Sequence, residues 1–182
     1  WVQQVEMESN GKNVDTQGIK LRTPAAPIIF GSVGTDAQHS FFQALHQGVE
    51  IIPIEILVSK ISNLSSEYSS NNMQSQNKLV INALAQCEAL MMGSTESKYD
   101  NFRIFKGGRP TTLISWEKTD PLSLGRLLSL YENASIVSGL IWDVNSFDQF
   151  GVELGKEIAK GISEGKNPTN LSSAGKEFLK KL

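Results

Sequence analysis

Few side chains in this sequence could move a proton or hold a polar ligand. The first two are His39 and His46, in "GTDAQHSFFQALHQG". The spacing predicts one helix over 35–48, so both histidines share a face. Two helical turns put them ~10 Å apart along the axis, too far to bind one metal directly. A zinc-binding pair needs a spacing nearer i, i+4, so no metal site is expected. His39 falls in the first turn after a cap at Thr35 or Asp36. Partial positive charge at a helix N-terminus disfavours the imidazolium. A neutral histidine there suits acid–base work near pH 7. A structural or surface role is the default for either histidine alone.

Glu8 closes "VEME" just before Ser9-Asn10-Gly11, which reads as a helix over 2–8 with its stop. By itself it is a solvated carboxylate. Gln149 and Lys156, in "FDQFGVELGK", stand at i, i+7 on one face of a helix expected over 146–165. That is an ordinary amphipathic pattern. Gly151 and Gly155 inside it cost about 1 kcal/mol each against alanine. Such glycines are tolerated where a ligand or another backbone comes close. "GTDAQHS" could meet an anion at a helix start, but it lacks P-loop spacing. Arg109 in "GGRP" could reach a ligand, although a turn into a strand is the favoured reading. Cys87 sits mid-helix with no histidine patterned around it and is expected to be a structural thiol.

The surrounding elements alternate between strand and helix signals. Apolar runs at 27–31 and 50–58, and "TTLISW" within 107–118, read as strands. Helices are expected over 77–93, over 120–143 with Asp120 as cap and Pro121 at its first position, and over 172–182. The Ser- and Asn-rich stretch 62–76 reads as a loop. The alternation implies α/β layers around a mostly parallel sheet. Of the 182 residues, 40% are hydrophobic and 20% charged, which is a globular balance. A net charge of −2 gives no reason to expect a nucleic-acid or anionic-membrane partner. No apolar run approaches the roughly 20 residues that cross a bilayer, and no signal-peptide pattern is present. One cysteine excludes an internal disulfide and agrees with a reducing compartment.

Taken together, "GLIWDVNSFDQFGVELGK" (139–156) closely resembles the C-terminal signature of the glucose-6-phosphate isomerase family. "MESNGK" (7–12), "GTDAQHSFFQALHQG" (34–48), "NALAQCEALMMG" (82–93) and "GGRPTTLISW" (107–116) are similar to that family's other blocks, in the same order. The resemblance covers nearly the whole chain. It implies an α/β fold of the sugar-isomerase type, a three-layer sandwich with a mostly parallel sheet, of which only the C-terminal part is here. Residues 1–145 would belong to the second sugar-isomerase domain, and 146–182 would form a C-terminal helical segment completing the active site. The first domain is expected to be absent, which would explain a start without methionine.

The implied reaction interconverts glucose 6-phosphate and fructose 6-phosphate by ring opening and proton transfer through a cis-enediol, without cofactor or metal. The resemblance places the catalytic base on Glu8, the ring-opening histidine on His39 and an active-site lysine on Lys156. It places substrate contacts on Gln4 and Gln149. It further implies a cytoplasmic homodimer in glycolysis and gluconeogenesis, with His39 reaching the neighbouring subunit's site. Gly31-Ser32-Val33 departs from the family's usual Gly-Glu-Pro. The family's phosphate-binding Ser/Thr loop and active-site arginine would lie upstream of Trp1, so the chain alone is expected to be inactive. Two rivals remain open: an isomerase that also accepts mannose 6-phosphate, and a non-catalytic sugar-phosphate-binding module of the same fold.

Overall fold

The computed structural model describes residues 1–62, 69–94, 101–165 and 171–181, and the side chains of 69–72 are not among those described. These residues form two compact units, one comprising Trp1–Ile29 and Tyr131–Leu182, the other Phe30–Leu130.

The second unit holds the sheet. Strands β1 (Ile54–Ile61) and β2 (Thr111–Lys118) pair in parallel, with Ile54 opposite Thr111 and Ser59 opposite Trp116. A parallel pair needs a long crossover, and helix α3 (Ser69–Met92), which packs on both strands, lies within it. α1 (Gly34–Ala37) and α2 (Phe42–Gln47) precede β1. Ala37, Phe42, Leu45 and Leu90 form the buried cluster of this unit, with Phe41, Ile52 and Ile54 against it. Before β2, Gly107 and Gly108 both adopt φ near +65° (68° and 65°), the left-handed region that glycine enters at little cost. The expected turn into a strand is therefore present. α4 (Pro121–Trp142) begins where the cap was expected: the Ser123 amide donates to Asp120 Oδ1 at 2.7 Å.

Residues 27–31 are not a strand: no described strand pairs with them, the Ile29 backbone is bonded instead by the Gln3 and Met7 side chains, and Ile28 is 84% exposed. An apolar run becomes a strand only when a neighbour satisfies its backbone. The helix expected over 35–48 is broken at residues 38–41, where the His39 and Ser40 amides bond three residues back, to Asp36 and Ala37. The tightened turn lets Phe42 enter the core while Phe41 stacks edge-on against Phe30, their centroids 5.2 Å apart. The loop expected over 62–76 is helical from Ser69 onward, and 63–68 lie outside the described residues. Extending a formed helix is cheaper than starting one, and the Gln76 side chain anchors this end by donating to the Ser59 carbonyl.

In the first unit, residues 2–10 are helical with a π-helical segment at Gln4–Glu8. The helix expected over 146–165 starts late: Phe150–Val152 is a 3₁₀ turn and α5 spans Glu153–Ser163. α6 (Ser173–Leu179) is capped by the Ser172 hydroxyl, which accepts from the Gly175 amide at 3.1 Å. No described helix is long and apolar enough to cross a membrane.

Candidate functional site

Asn10 is the fixed point from which the site is built. It is fully buried, so each of its polar atoms needs a partner. Its side-chain amide donates to the Ser135 carbonyl at 2.8 Å, to Ser135 Oγ at 3.2 Å and to Glu6 Oε1 at 3.2 Å. Its Oδ1 accepts from Ser146 Oγ at 2.6 Å. Ser135 Oγ in turn donates to the Val5 carbonyl at 2.9 Å. The π-bearing helix is thereby joined to two consecutive segments far along the chain, α4 and the loop after it. Gly139 is what lets them approach. A Cβ there would collide with Ser146 Oγ and lie 2.9 Å from Asn10 Oδ1.

Lys12 closes the arrangement from the other side. Its ammonium donates to the Ser9 carbonyl at 2.7 Å, the Glu8 carbonyl at 3.3 Å and the Asp148 carbonyl at 2.7 Å. It also lies 3.3 Å from Asp148 Oδ1, an ion pair without the alignment of a hydrogen bond.

Between these segments lies a cavity of about 1280 Å³, walled by Gln4, Glu8, Lys12, Asp148 and Gln149 among others. A π turn is a frequent feature of functional sites, and here it carries both Gln4 and Glu8. The Glu8 carboxylate is half-buried and has no hydrogen-bond partner among the described residues. A carboxylate on a cavity wall with free lone pairs can accept a proton from a bound ligand. Glutamine amides on the same wall can donate to and accept from hydroxyls.

Not every expected residue is gathered there. Gln149 lies ahead of the 3₁₀ turn rather than on a helix, so it does not share a helical face with Lys156. Lys156 is exposed on α5 and is absent from the cavity wall. Gly151 and Gly155 have no protein atom close to them, and the close approach between protein segments in this unit occurs at Gly139. His39 is exposed in the turn after α1, past the end of a four-residue helix. The helix-end reason for a neutral His39 therefore has no geometric basis. His39 belongs to the other compact unit.

The remaining candidates are structural. His46 packs edge-on against Phe105 at 5.8 Å, and its Nε2 lies 3.2 Å from Gln86 Oε1. Arg109 is 7% exposed, and its guanidinium donates to the carbonyls of His46, Gly48 and Glu50. It secures the chain after α2 and is not on the cavity wall. Cys87 is buried, and burial pushes its thiol above the ordinary value. No group of His, Cys, Asp and Glu suited to a metal is found among the described residues. The sequence reading missed Asn10, Lys12, Ser135, Gly139, Ser146 and Asp148. The available signal was Gly139, an interior glycine in a long helix.

A parallel strand pair crossed by a helix marks an α/β protein, and the largely apolar cavity that carries Gln4, Glu8 and Gln149 is its candidate small-molecule site. A family model described as Phosphoglucose isomerase matches residues 1–177, and the chain belongs to that family. The glucose-6-phosphate isomerase of Mesorhizobium japonicum is 41% identical over 179 residues, covering 89% of this chain and 32% of that protein. That of Treponema denticola is 43% identical over 178 residues, covering 98% of this chain and 33% of that protein. The crystal structure of a glucose-6-phosphate isomerase from Chlamydia trachomatis superposes with a TM-score of 0.80 at 35% identity, covering 98% of this chain and 34% of that one. A hypothetical protein from Thermus thermophilus shares the fold, with a TM-score of 0.65 at 24% identity over 89% of this chain and 37% of that one. The chain thus spans about a third of the length of the curated relatives it matches.

Proposed function

We propose that this chain is the C-terminal part of a cytoplasmic, homodimeric isomerase that interconverts glucose 6-phosphate and fructose 6-phosphate in glycolysis and gluconeogenesis. Residues 1–145 belong to its second sugar-isomerase domain, and 146–182 complete the active site. The observation that carries this reading is the position of Glu8: in a chain of this family, it stands with Gln4 and Gln149 on one cavity wall.

The sugar is a closed ring, and the chemistry needs an open carbonyl. His39, contributed by the neighbouring subunit, moves a proton between the anomeric hydroxyl and the ring oxygen. Glu8 then takes the C2 proton of the open-chain aldose; the C2–H electrons become the C1=C2 bond, the C1 carbonyl pair moves to O1, and a hydroxyl proton shifts from O2 to O1 through the cis-enediol. The same carboxylate returns that proton to C1. A single carboxylate can do both because C1 and C2 present adjacent hydrogens on one face of the planar intermediate. Gln4 and Gln149 hold sugar hydroxyls, and Lys156, which lies off the cavity wall in this chain, supplies its positive charge in the full-length enzyme. The phosphate-binding loop and the arginine that would stabilise the enediolate lie outside this chain. Cationic stabilisation of this kind is a large share of such catalysis.

A dehydrogenase-coupled assay with fructose 6-phosphate tests the reading. The full-length protein is expected to turn over, and the isolated 182-residue chain is expected not to. A full-length protein without isomerase activity would contradict the function, and an isolated chain as fast as the whole would contradict the division of labour. His39→Ala should slow cyclic substrate more than open-chain substrate, and equal loss on both would remove His39 from ring opening.

A further inference from the structure

Among the described residues, Lys12 is the one cation on the cavity wall, yet its ammonium is turned toward the protein. Its side chain is 17% exposed, and that of its ion-pair partner Asp148 is 24% exposed. Two of its carbonyl acceptors, on Glu8 and Ser9, belong to the end of the helix that presents Glu8. The third, on Asp148, belongs to the residue before Gln149. Ordinary lysines are surface groups in contact with water. Here one ammonium, with three protons, ties two orphan carbonyls of a helix end to a loop 136 residues away. Negative partial charge at a helix C-terminus also favours a cation at that point.

We propose that Lys12 is a positioning residue, a latch that holds the Glu8 turn and the adjoining Gln149 loop at a fixed separation along the cavity wall. This rests on the assignment of Glu8 as the base. Lys12 touches no substrate and transfers no proton; it acts by restricting where the Glu8 carboxylate and the Gln149 amide can sit. A base that must collect a proton from one carbon and deliver it to the next works best when it cannot drift. If the latch is cut, the carboxylate moves away from the enediol, delivery slows, and the carried proton has time to exchange with water. The signature of Lys12 is therefore the partition of the substrate's proton between transfer and loss to solvent. Loss of folded protein lowers the amount of active enzyme but leaves that partition unchanged.

The experiment uses the full-length protein and glucose 6-phosphate deuterated at C2. Product is analysed for label retained at C1 against label lost to water. Lys12→Met is expected to raise the ratio of loss to transfer at least about threefold and to lower kcat by about tenfold or more, with a smaller change in KM, because a displacement near 1 Å costs a reacting pair that much. Lys12→Arg keeps the charge but displaces the donors, and should show a smaller rise. Asp148→Asn keeps the carbonyl acceptor and removes the ion pair, and should show a smaller rise still. Should Lys12→Met fail to fold, the other two carry the test. Wild-type partition in the soluble variants would overturn the proposal. A Glu8→Gln control separates the two claims. If it abolishes both transfer and loss while the Lys12 variants partition as wild type, only the latch fails. If it leaves both intact, the base assignment fails and the latch with it.

Discussion

The Asn10 side chain and the Ser135 backbone carbonyl meet at 2.8 Å, both residues buried, across a separation of 125 residues. This bond and its neighbours set the height of the π-helical segment over α4, and hence the position of Glu8 on the cavity wall. The consequences can be tested one residue at a time.

Gly139→Ala should be costly although it adds one methyl group. The new Cβ would displace the Ser146 hydroxyl and strip Asn10 Oδ1 of its donor. A buried acceptor without a partner costs about 1–3 kcal/mol. Chemical denaturation of the full-length protein should show a loss in this range, and amides near residue 10 should exchange faster. An unchanged stability would mean that Ser146 can turn away freely.

Arg109→Met should destabilise the unit that contains the sheet without touching the cavity. Three backbone carbonyls lose a charged donor, and charge-assisted bonds contribute about 1.5–3 kcal/mol each. Lower thermal stability with unchanged KM is the expected pair of results. A raised KM with normal stability would argue that Arg109 serves the ligand.

Asp120 gives a pH dependence. The Ser123 backbone amide donates to its carboxylate, and the Ser123 side chain adds a second bond, so its pKa lies below the ordinary aspartate value of 3.8. The ionised form is favoured by folding, so its contribution is fully present above that value. It is lost as pH falls through the lower folded value. Asp120→Asn should therefore lower stability at neutral pH and converge with wild type in strong acid. Parallel stability curves down to low pH would contradict the cap.

Local rules made much of this legible. Asp120-Pro121 marked a helix start and Gly107-Gly108 a turn, because each depends on neighbours a few residues away. The failures share a different cause. Residues 27–31 have the composition of a strand, but strand pairing is decided by a partner elsewhere. His39 follows a helical period, yet packing of Phe42 breaks the helix beside it. Glu8, Gln4 and Gln149 were legible through motifs as family residues, whereas Lys12 and Asn10 were not. Their roles exist only through contacts with Asp148, Ser135 and Ser146, which no local pattern announces. An interior glycine was a usable sign of close approach, but Gly139 carried it rather than Gly151 or Gly155.

The central claim is that Glu8 moves the proton. Its direct test is hydrogen exchange at C2 of glucose 6-phosphate, followed by NMR, with the full-length Glu8→Gln protein. Exchange and isomerisation are both expected to vanish while substrate affinity stays within about threefold, since a base absent from the transition state spares ground-state binding. Exchange at the wild-type rate in that variant would contradict the claim.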